Sequence, residues 1–571
     1  MDRRDFLSAL AVSAVAERVV PLEAQERQAP QIGERLPAEA AIPPGRSHRV
    51  VWGRNGAVAT ADELASMAGV QILMKGGNAI DAIVAAAAAL NVVEPYMSGV
   101  GGFGGYLLIY TAADKKVRAL DGIGTSPAAA NLNNITEADC REGFKASIVP
   151  GNFGLWAEAL AKHGTMKLAD VFAPAIDLAE NGFPVSHYDA STIARSAARL
   201  AKFPTTAKIF LPGDAPPREG QILKQRDLAR TFHRLVQEGP DVLYHGSLGR
   251  EIVSFMRAHG GLLTEQDFAG FKVRWREPIH TDWQGHELYG MPPGSCSLTM
   301  FQMLNILEGF DLKSLDPFDT RFAHLWLESA KLAFLDDDRY NTGKNVEIPV
   351  ERLISKEYAA SQRAKIASDR VSDFPGPELL TVGTTHLSAG DRWGNVASLT
   401  QSLVDGFGCG VVAGETGIVM NNGLRVGFLL DPQSANALAP SEHAKGVMCP
   451  TIVLKNGNAI MGVGGAGGFT IPQTVAQVIL KTLVWDFDIQ EAISSPRVLI
   501  NRDGRPPVRE NASTYLEEGF PAKAAAGLKA LGHKLVAPGN AGAVQGVVVH
   551  ADTGAVGAGS DPRRDGHAIA W

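Results

Sequence analysis

A threonine hydroxyl is a weak nucleophile until a base stands beside it, and Thr384 occupies a place where one can be made. The stretch Thr381–Leu403 reads as two hydroxyl-rich strands, Thr384–Asp391 and Asn395–Leu403, joined by Arg392, Trp393 and Gly394. Three residues suit a bulged hairpin loop, with Gly394 left-handed. If Asp391 and Asn395 close that loop, Thr384 faces Ser402, with Thr400 two residues away on the same face. Gly383 precedes Thr384, and an internal Thr384 can attack the Gly383 carbonyl. Once that bond is broken, Thr384 owns an α-amine with a pKa of about 7.7–8.0, a base for its own hydroxyl near pH 7. Thr385 follows directly. Alternation puts His386 on the face of Thr384, either as support for the nucleophile or as an ordinary buried histidine.

Several elements must position this hairpin. Gly76–Ala82 opens an alanine-rich helix running to about Val93, which Glu94 and Pro95 end. The loop Ser98–Gly105 then leads into a strand, Tyr106–Tyr110. Gly99–Gly104 matches G-x-G-x-x-G in form. A dinucleotide fingerprint needs strand, loop, helix, and here the order is helix, loop, strand, so no such cofactor is expected. Periodicity predicts helices over Leu155–His163, Leu168–Glu180, Ile222–Glu238 and Thr320–Asp337. Strands are expected at Gly417–Asn422, Thr451–Leu454 and Ala459–Val463, then a helix over Ile471–Val484. Gly467 and Gly468 fall at that strand-to-helix turn, where two adjacent N–H groups can stabilise an oxyanion. Asp561-Pro562-Arg563 has a short strand on either side.

The 571 residues are 45% hydrophobic and 20% charged, enough for a large core. With 54 basic against 61 acidic residues, and no basic run interleaved with aromatics, nucleic acid is excluded as a partner. Cys140, Cys296, Cys409 and Cys449 show no C-x₂-C spacing, and no histidines fall at ligand spacing, so no metal is expected. An oxidising compartment would permit disulfides without saying which. Arg3 and Arg4, followed by Phe6-Leu7 and an alanine-rich run to Ala16, read as a twin-arginine export signal over residues 1–25. Residues 26–47, rich in Pro, Glu and Gln, read as a flexible lead-in. No other segment is apolar for long enough to span a bilayer.

Together these blocks resemble the γ-glutamyltransferase family of N-terminal-nucleophile hydrolases, from about Val50 to the C-terminus. The resemblance rests on Gly76–Ala82, Ser98–Gly102, Met291–Pro293, Thr384–His386, Gly414–Gly417, Asn421-Asn422, Gly467-Gly468 and Ser560–Arg563 in that order. It implies an α/β fold, a four-layer αββα sandwich built jointly by two self-cleavage products. The break at Gly383–Thr384 would leave a large subunit, 48–383, and a small one, 384–571, as a heterodimer. It implies Thr384 as nucleophile, Ser402 in the place of a threonine that hydrogen-bonds it, and Gly467 and Gly468 as oxyanion donors. No cofactor is implied.

The acyl-recognition half departs from the family pattern. Ile123 stands where γ-glutamyl-binding members carry an arginine, Val404 where they carry an asparagine, and Gly446-Val447 where they carry paired serines. After Asn421 and Asn422 they carry an aspartate for the α-ammonium; here Arg425-Val426 follows. Related members act on other amides, including oxamate and glutaryl side chains of β-lactams. The expected activity is therefore hydrolysis of a small-molecule amide with an atypical acyl group, water or an amine being the acceptor. Arg425 is read either as a carboxylate anchor beside Asn422 or as a solvated surface charge. A true glutathione hydrolase and a catalytically silent periplasmic binding protein are the other readings. The expected location is periplasmic or secreted. Residues 1–30 fused to a reporter should export it only through a working twin-arginine system, and R3K with R4K should hold it in the cytoplasm. Export that survives both changes would assign an ordinary Sec signal.

Overall fold

The computed structural model describes residues 49–372, 383–501, 513–536 and 541–571. The expected export signal and lead-in lie outside these residues, as do Thr381 and Val382. One seven-stranded sheet runs from Val51–Gly53 (β1) through Val556–Ser560 (β18), Ala543–Val549 (β17), Asn458–Ala466 (β13), Thr451–Lys455 (β12) and His286–Gly290 (β9) to Ile279–Trp283 (β8). A second seven-stranded sheet runs from His567–Ala570 (β19) through Gly56–Thr60 (β2), Gly383–Asp391 (β10), Val396–Val404 (β11), Gly104–Thr111 (β3) and Lys116–Asp121 (β4) to Arg274–Arg276 (β7). Smaller sheets join Val498–Asn501 (β14), Ser513–Leu516 (β15) and Lys534–Val536 (β16), and Phe183–Pro184 (β5) with Ile222–Leu223 (β6).

The large sheets face each other where β10 and β11 meet β13 and β17. Helices Glu63–Met74 (α1) and Ala79–Val93 (α2) cover the outside of the second sheet, while Ser297–Glu308 and Thr470–Trp485 cover the first and Thr320–Tyr340 packs on Ser297–Glu308. This is the expected αββα sandwich, and both sides of the Gly383–Thr384 bond contribute strands to each sheet.

Every residue of α2 is buried. Its run of alanines lets neighbouring backbones approach from all sides, which a helix with one polar face could not do. Asn78 caps it, accepting from the Ile80 and Asp81 amides, while Asp81 reaches back to the Asn78 amide. The hairpin forms in the expected register, Thr384 opposite Ser402 and His386 opposite Thr400. Gly394 has φ of +85°, as the loop demands. Asp391 makes this turn part of the core. One carboxylate oxygen accepts from the Trp393 and Asn395 amides at 2.9 and 3.0 Å; the other accepts from Asn395 Nδ2 at 2.8 Å and from the Ala79 amide of α2 at 2.9 Å.

Two expectations are corrected. Gly417–Asn422 is not a strand: it makes a single isolated bridge, Val412 with Val419, because Asn421 turns its side chain to the loop backbones of Gly101, Ile148 and Gly423. The helix expected from Ile222 starts at Arg226, since Ile222 and Leu223 pair with Phe183 and Pro184. D391A should cost about 3 kcal/mol or more in urea unfolding, because it strips the acceptor from three main-chain amides. W393A, at the exposed loop tip, should cost less than about 0.5 kcal/mol. Equal costs would show that the carboxylate does not bind the turn to α2.

Candidate active site

Three contacts converge on Ser402. Its Oγ lies 3.1 Å from Thr384 Oγ1, accepts from the Val404 amide at 2.8 Å, and donates to the Gly383 carbonyl. A carbonyl can only accept, so the Ser402 hydrogen is committed to Gly383. The hydroxyl of Thr384 is then the donor to Ser402. One serine thus polarises the carbonyl next to Thr384 and accepts the hydrogen of the Thr384 hydroxyl. Thr384 and Ser402 are both buried.

The backbone is distorted at this point. The ladder shifts register between Gly383 and Thr384, and Val404, opposite Gly383, has φ of +84°. A β-branched residue in that region is a true outlier, costing on the order of 1–3 kcal/mol. Its neighbours hold it there: the Asp405 amide donates to Asn422 Oδ1 at 2.9 Å and the Leu403 amide to the Met97 carbonyl at 2.8 Å. Gly383 has no room for a side chain, since a Cβ would lie 2.9 Å from the Asp405 backbone.

The supporting residues separate. Thr400 serves His386, not Thr384: His386 Nδ1 lies 2.8 Å from Thr400 Oγ1, and its Nε2 2.9 Å from Ser388 Oγ. Burial pushes its pKa down to about 3, so the ring is neutral at working pH. Thr385 is buried, and its hydroxyl lies against the Glu94 carboxyl. Gly467 and Gly468, at φ of +128° and +65°, form the turn between β13 and Thr470–Trp485 as expected. Asp561 is clamped by Arg497 at 2.5 Å and Arg563 at 3.1 Å, with no solvent exposure. Burial opposes its ionisation, but the two guanidiniums prevail and hold it down at about 2.

A narrow pocket of about 10 Å³ opens on Thr384 and Ser402, lined by Phe103, Val404, Val426, Val447 and Met448. Val404 is where the sequence places it. Ile123 is fully buried in the core and is not among the residues lining this pocket. Arg425 is neither a solvated charge nor a free anchor. It is largely buried and paired with Asp405, which also accepts from Asn422 Nδ2 at 2.7 Å. Asn422 thus holds Asp405 and does not line the pocket.

The sequence reading missed Asp405, and also Arg564, whose guanidinium donates to the Thr384 carbonyl at 2.8 Å. Both adjoin blocks singled out above, Ser402–Val404 and Asp561–Arg563, but nothing in their spacing marks them. The fold also joins His324, Glu328 and His533, with ligand atoms within 4.8 Å of one another. Their polar atoms are already engaged. The two rings meet at 2.8 Å, His324 Nε2 donates to the Ala367 carbonyl at 2.7 Å, and Glu328 accepts from Lys331 at 2.7 Å and from the Ser372 amide at 3.1 Å. A divalent ion there would face the buried Lys331 ammonium. The group is a hydrogen-bonded clasp, tying 367–372 and His533 to the helix Thr320–Tyr340.

A buried threonine at the head of an inner strand of an αββα sandwich is the arrangement found in the N-terminal-nucleophile hydrolases. A model of the gamma-glutamyltranspeptidase family matches residues 65–571, and the chain belongs to that family. It is 38% identical over 528 residues to the acylase ACY 1 proenzyme of Pseudomonas sp. (strain SE83), spanning 89% of this chain and 92% of that one. It is 33% identical over 568 residues to the glutathione hydrolase proenzyme of Bacillus subtilis (strain 168), spanning 93% and 94%. The cephalosporin acylase of Bacillus halodurans superposes with a TM-score of 0.84 at 32% identity, over 93% of this chain and 98% of that one. The chain is thus a hydrolase or acyltransferase of the gamma-glutamyltranspeptidase family. R425A should lower stability by about 3 kcal/mol in urea unfolding, because it leaves Asp405 buried without its cation. A change below about 0.5 kcal/mol would return Arg425 to the surface.

Proposed function

We propose that this protein is an exported, self-processing amide hydrolase whose nucleophile is Thr384 and whose substrate carries an uncharged, apolar acyl group. The observation that carries the reading is the lining of the pocket at Thr384: Phe103, Val404, Val426, Val447 and Met448 offer no charge. A γ-glutamyl group would bring in an α-ammonium and an α-carboxylate, and burying either without a partner costs several kcal/mol. Arg425, the sequence's one candidate for the carboxylate, is already held by Asp405.

The chemistry has two stages. In the first, Thr384 Oγ attacks the Gly383 carbonyl carbon, which Ser402 polarises, and its proton leaves by way of Ser402. The peptide C–N bond breaks, its nitrogen takes a proton and becomes the Thr384 α-amine, and Gly383 is held as an ester on Oγ. Water hydrolyses that ester and frees the Gly383 carboxylate. In the second stage the α-amine takes the Oγ proton as Oγ attacks the substrate amide. The amide N–H groups of Gly467 and Gly468 stabilise the oxyanion. The protonated amine leaves, and water or an amine acceptor then attacks the acyl-Thr384 ester.

The purified chain should separate under denaturing conditions into two pieces, the second beginning at Thr384. T384A should remain whole and inactive, because one hydroxyl serves both stages. S402A should slow cleavage by about 10²-fold or more. The substrate is tested with butyryl, glutaryl and γ-glutamyl anilides. The pocket predicts kcat/KM falling in that order, with at least tenfold, about 1.4 kcal/mol, between the first and last. γ-Glutamyl anilide as the best substrate would install the glutathione-hydrolase reading instead. Binding without turnover of any amide would make the protein a silent binder.

A further inference from the structure

The main chain of Thr384 has an unusual neighbour. β2 pairs with β10 only over Ser388–Asp391, so the described ladder on that side stops four residues short of Thr384. Arg564 stands where the ladder would continue, its guanidinium 2.8 Å from the Thr384 carbonyl. The Arg564 side chain is 3% exposed, and its counter-ion is Glu94, also 3% exposed, at 3.6 Å. Arg564 Nε is buried with no hydrogen-bond partner, while the neighbouring Thr385 hydroxyl lies against the Glu94 carboxyl and favours its ionised form. A native core rarely leaves a guanidinium N–H open, so its placement calls for an account.

Glu94 is the residue that ends α2. The other end of α2 is fixed to the hairpin turn by Asp391. From Ala79 to Glu94 the helix rises about 22 Å, and from Asp391 back to Thr384 the strand covers about 23 Å. Helix and strand pack against each other. α2 is therefore a strut of the same length as β10, joined to it at both ends, by Asp391 at one and by the Glu94–Arg564 pair at the other.

We propose that Arg564 and Glu94 are positioning residues for the nucleophile, locking the Thr384 main chain in register with Ser402 through the strut α2; this rests on Thr384 being the nucleophile. Cleavage makes Thr384 a chain end, and chain ends fray unless they are tied down. The Arg564 bond lies on the Thr384 side of the broken peptide, so it outlasts the departure of Gly383. The guanidinium also acts on the new α-amine, disfavouring its ammonium form and keeping the base neutral. Glu94 tempers that effect. The charges facing Glu94 are Arg564, Asp189, Asp565 and Asp62, with the Tyr96 hydroxyl bonded to Asp189 at 2.6 Å. Burial raises the Glu94 carboxyl to about 7 against the pull of Arg564.

The test compares wild type, T384A, R564M, R564K and E94Q, each checked for folding by thermal melting, then assayed for self-cleavage and for kcat and KM on butyryl anilide across pH. R564M should cleave slowly and lose at least tenfold in kcat with KM changed less than threefold, and R564K should recover part of the loss. Glu94 ionises near 7, so above that pH E94Q lacks the negative charge that tempers Arg564, and the upper part of the acid limb of its kcat profile should move to lower pH. A residue that merely fills space would lower the active fraction and leave that limb in place. If R564M does not fold, the near-isosteric E94Q decides: an unmoved limb overturns the inference. Wild-type cleavage, kcat and pH profile in both R564M and E94Q, with T384A inert, overturn it alone. Turnover by T384A overturns the nucleophile reading and this inference with it.

Discussion

The site depends on one hydroxyl bridging two strands. Ser402 Oγ receives the Thr384 hydroxyl and the Val404 amide and gives its own hydrogen to the Gly383 carbonyl. A single atom therefore sets the distance between the Thr384 hydroxyl and the Gly383 carbonyl, and sets the direction of the hydrogen bonds. The ladder is irregular at this point: the register shifts between Gly383 and Thr384, Val404 opposite takes a positive φ, and Gly383 leaves no room for a side chain. The strain is local, and the packed surroundings hold it: Asn422 and Met97 bind the chain on either side of Val404.

The remainder of the sandwich keeps this hairpin rigid and dry. α2 is buried on all sides and Asp391 ties it to the hairpin turn, so the turn cannot move without the helix. β13 and β17 cover β10 from the other sheet, and the turn at Gly467 and Gly468 follows from the end of β13. Buried ion pairs close the C-terminal part of the chain over the same region. Asp561 sits between Arg497 and Arg563 and also accepts from the Val544 amide of β17 at 2.9 Å, and the next residue, Arg564, reaches Thr384.

Much of this was legible in the sequence because it follows local rules. A three-residue loop ending in glycine fixes the hairpin, and period-two alternation then fixes Thr384 opposite Ser402. The cap at Asn78 and the glycine turn at Gly467 are likewise local patterns. What was hidden is what depends on distant chain. Asn421 prefers three loop backbones to a ladder, which no propensity at Gly417–Asn422 could announce. Arg425 was legible as a departure from the family pattern, but Asp405, twenty residues earlier, decides its role. Arg564 and Glu94 are 470 positions apart in the chain and meet only in the fold.

The central claim is that the Thr384 hydroxyl is the atom that carries the acyl group. The most direct measurement is intact and peptide mass spectrometry of enzyme quenched in acid during turnover of a slowly deacylated butyryl ester. The account predicts a butyryl increment on the chain 384–571, confined to Thr384 and lost on longer incubation. An increment on Ser402, on another residue, or on the upstream chain would contradict it.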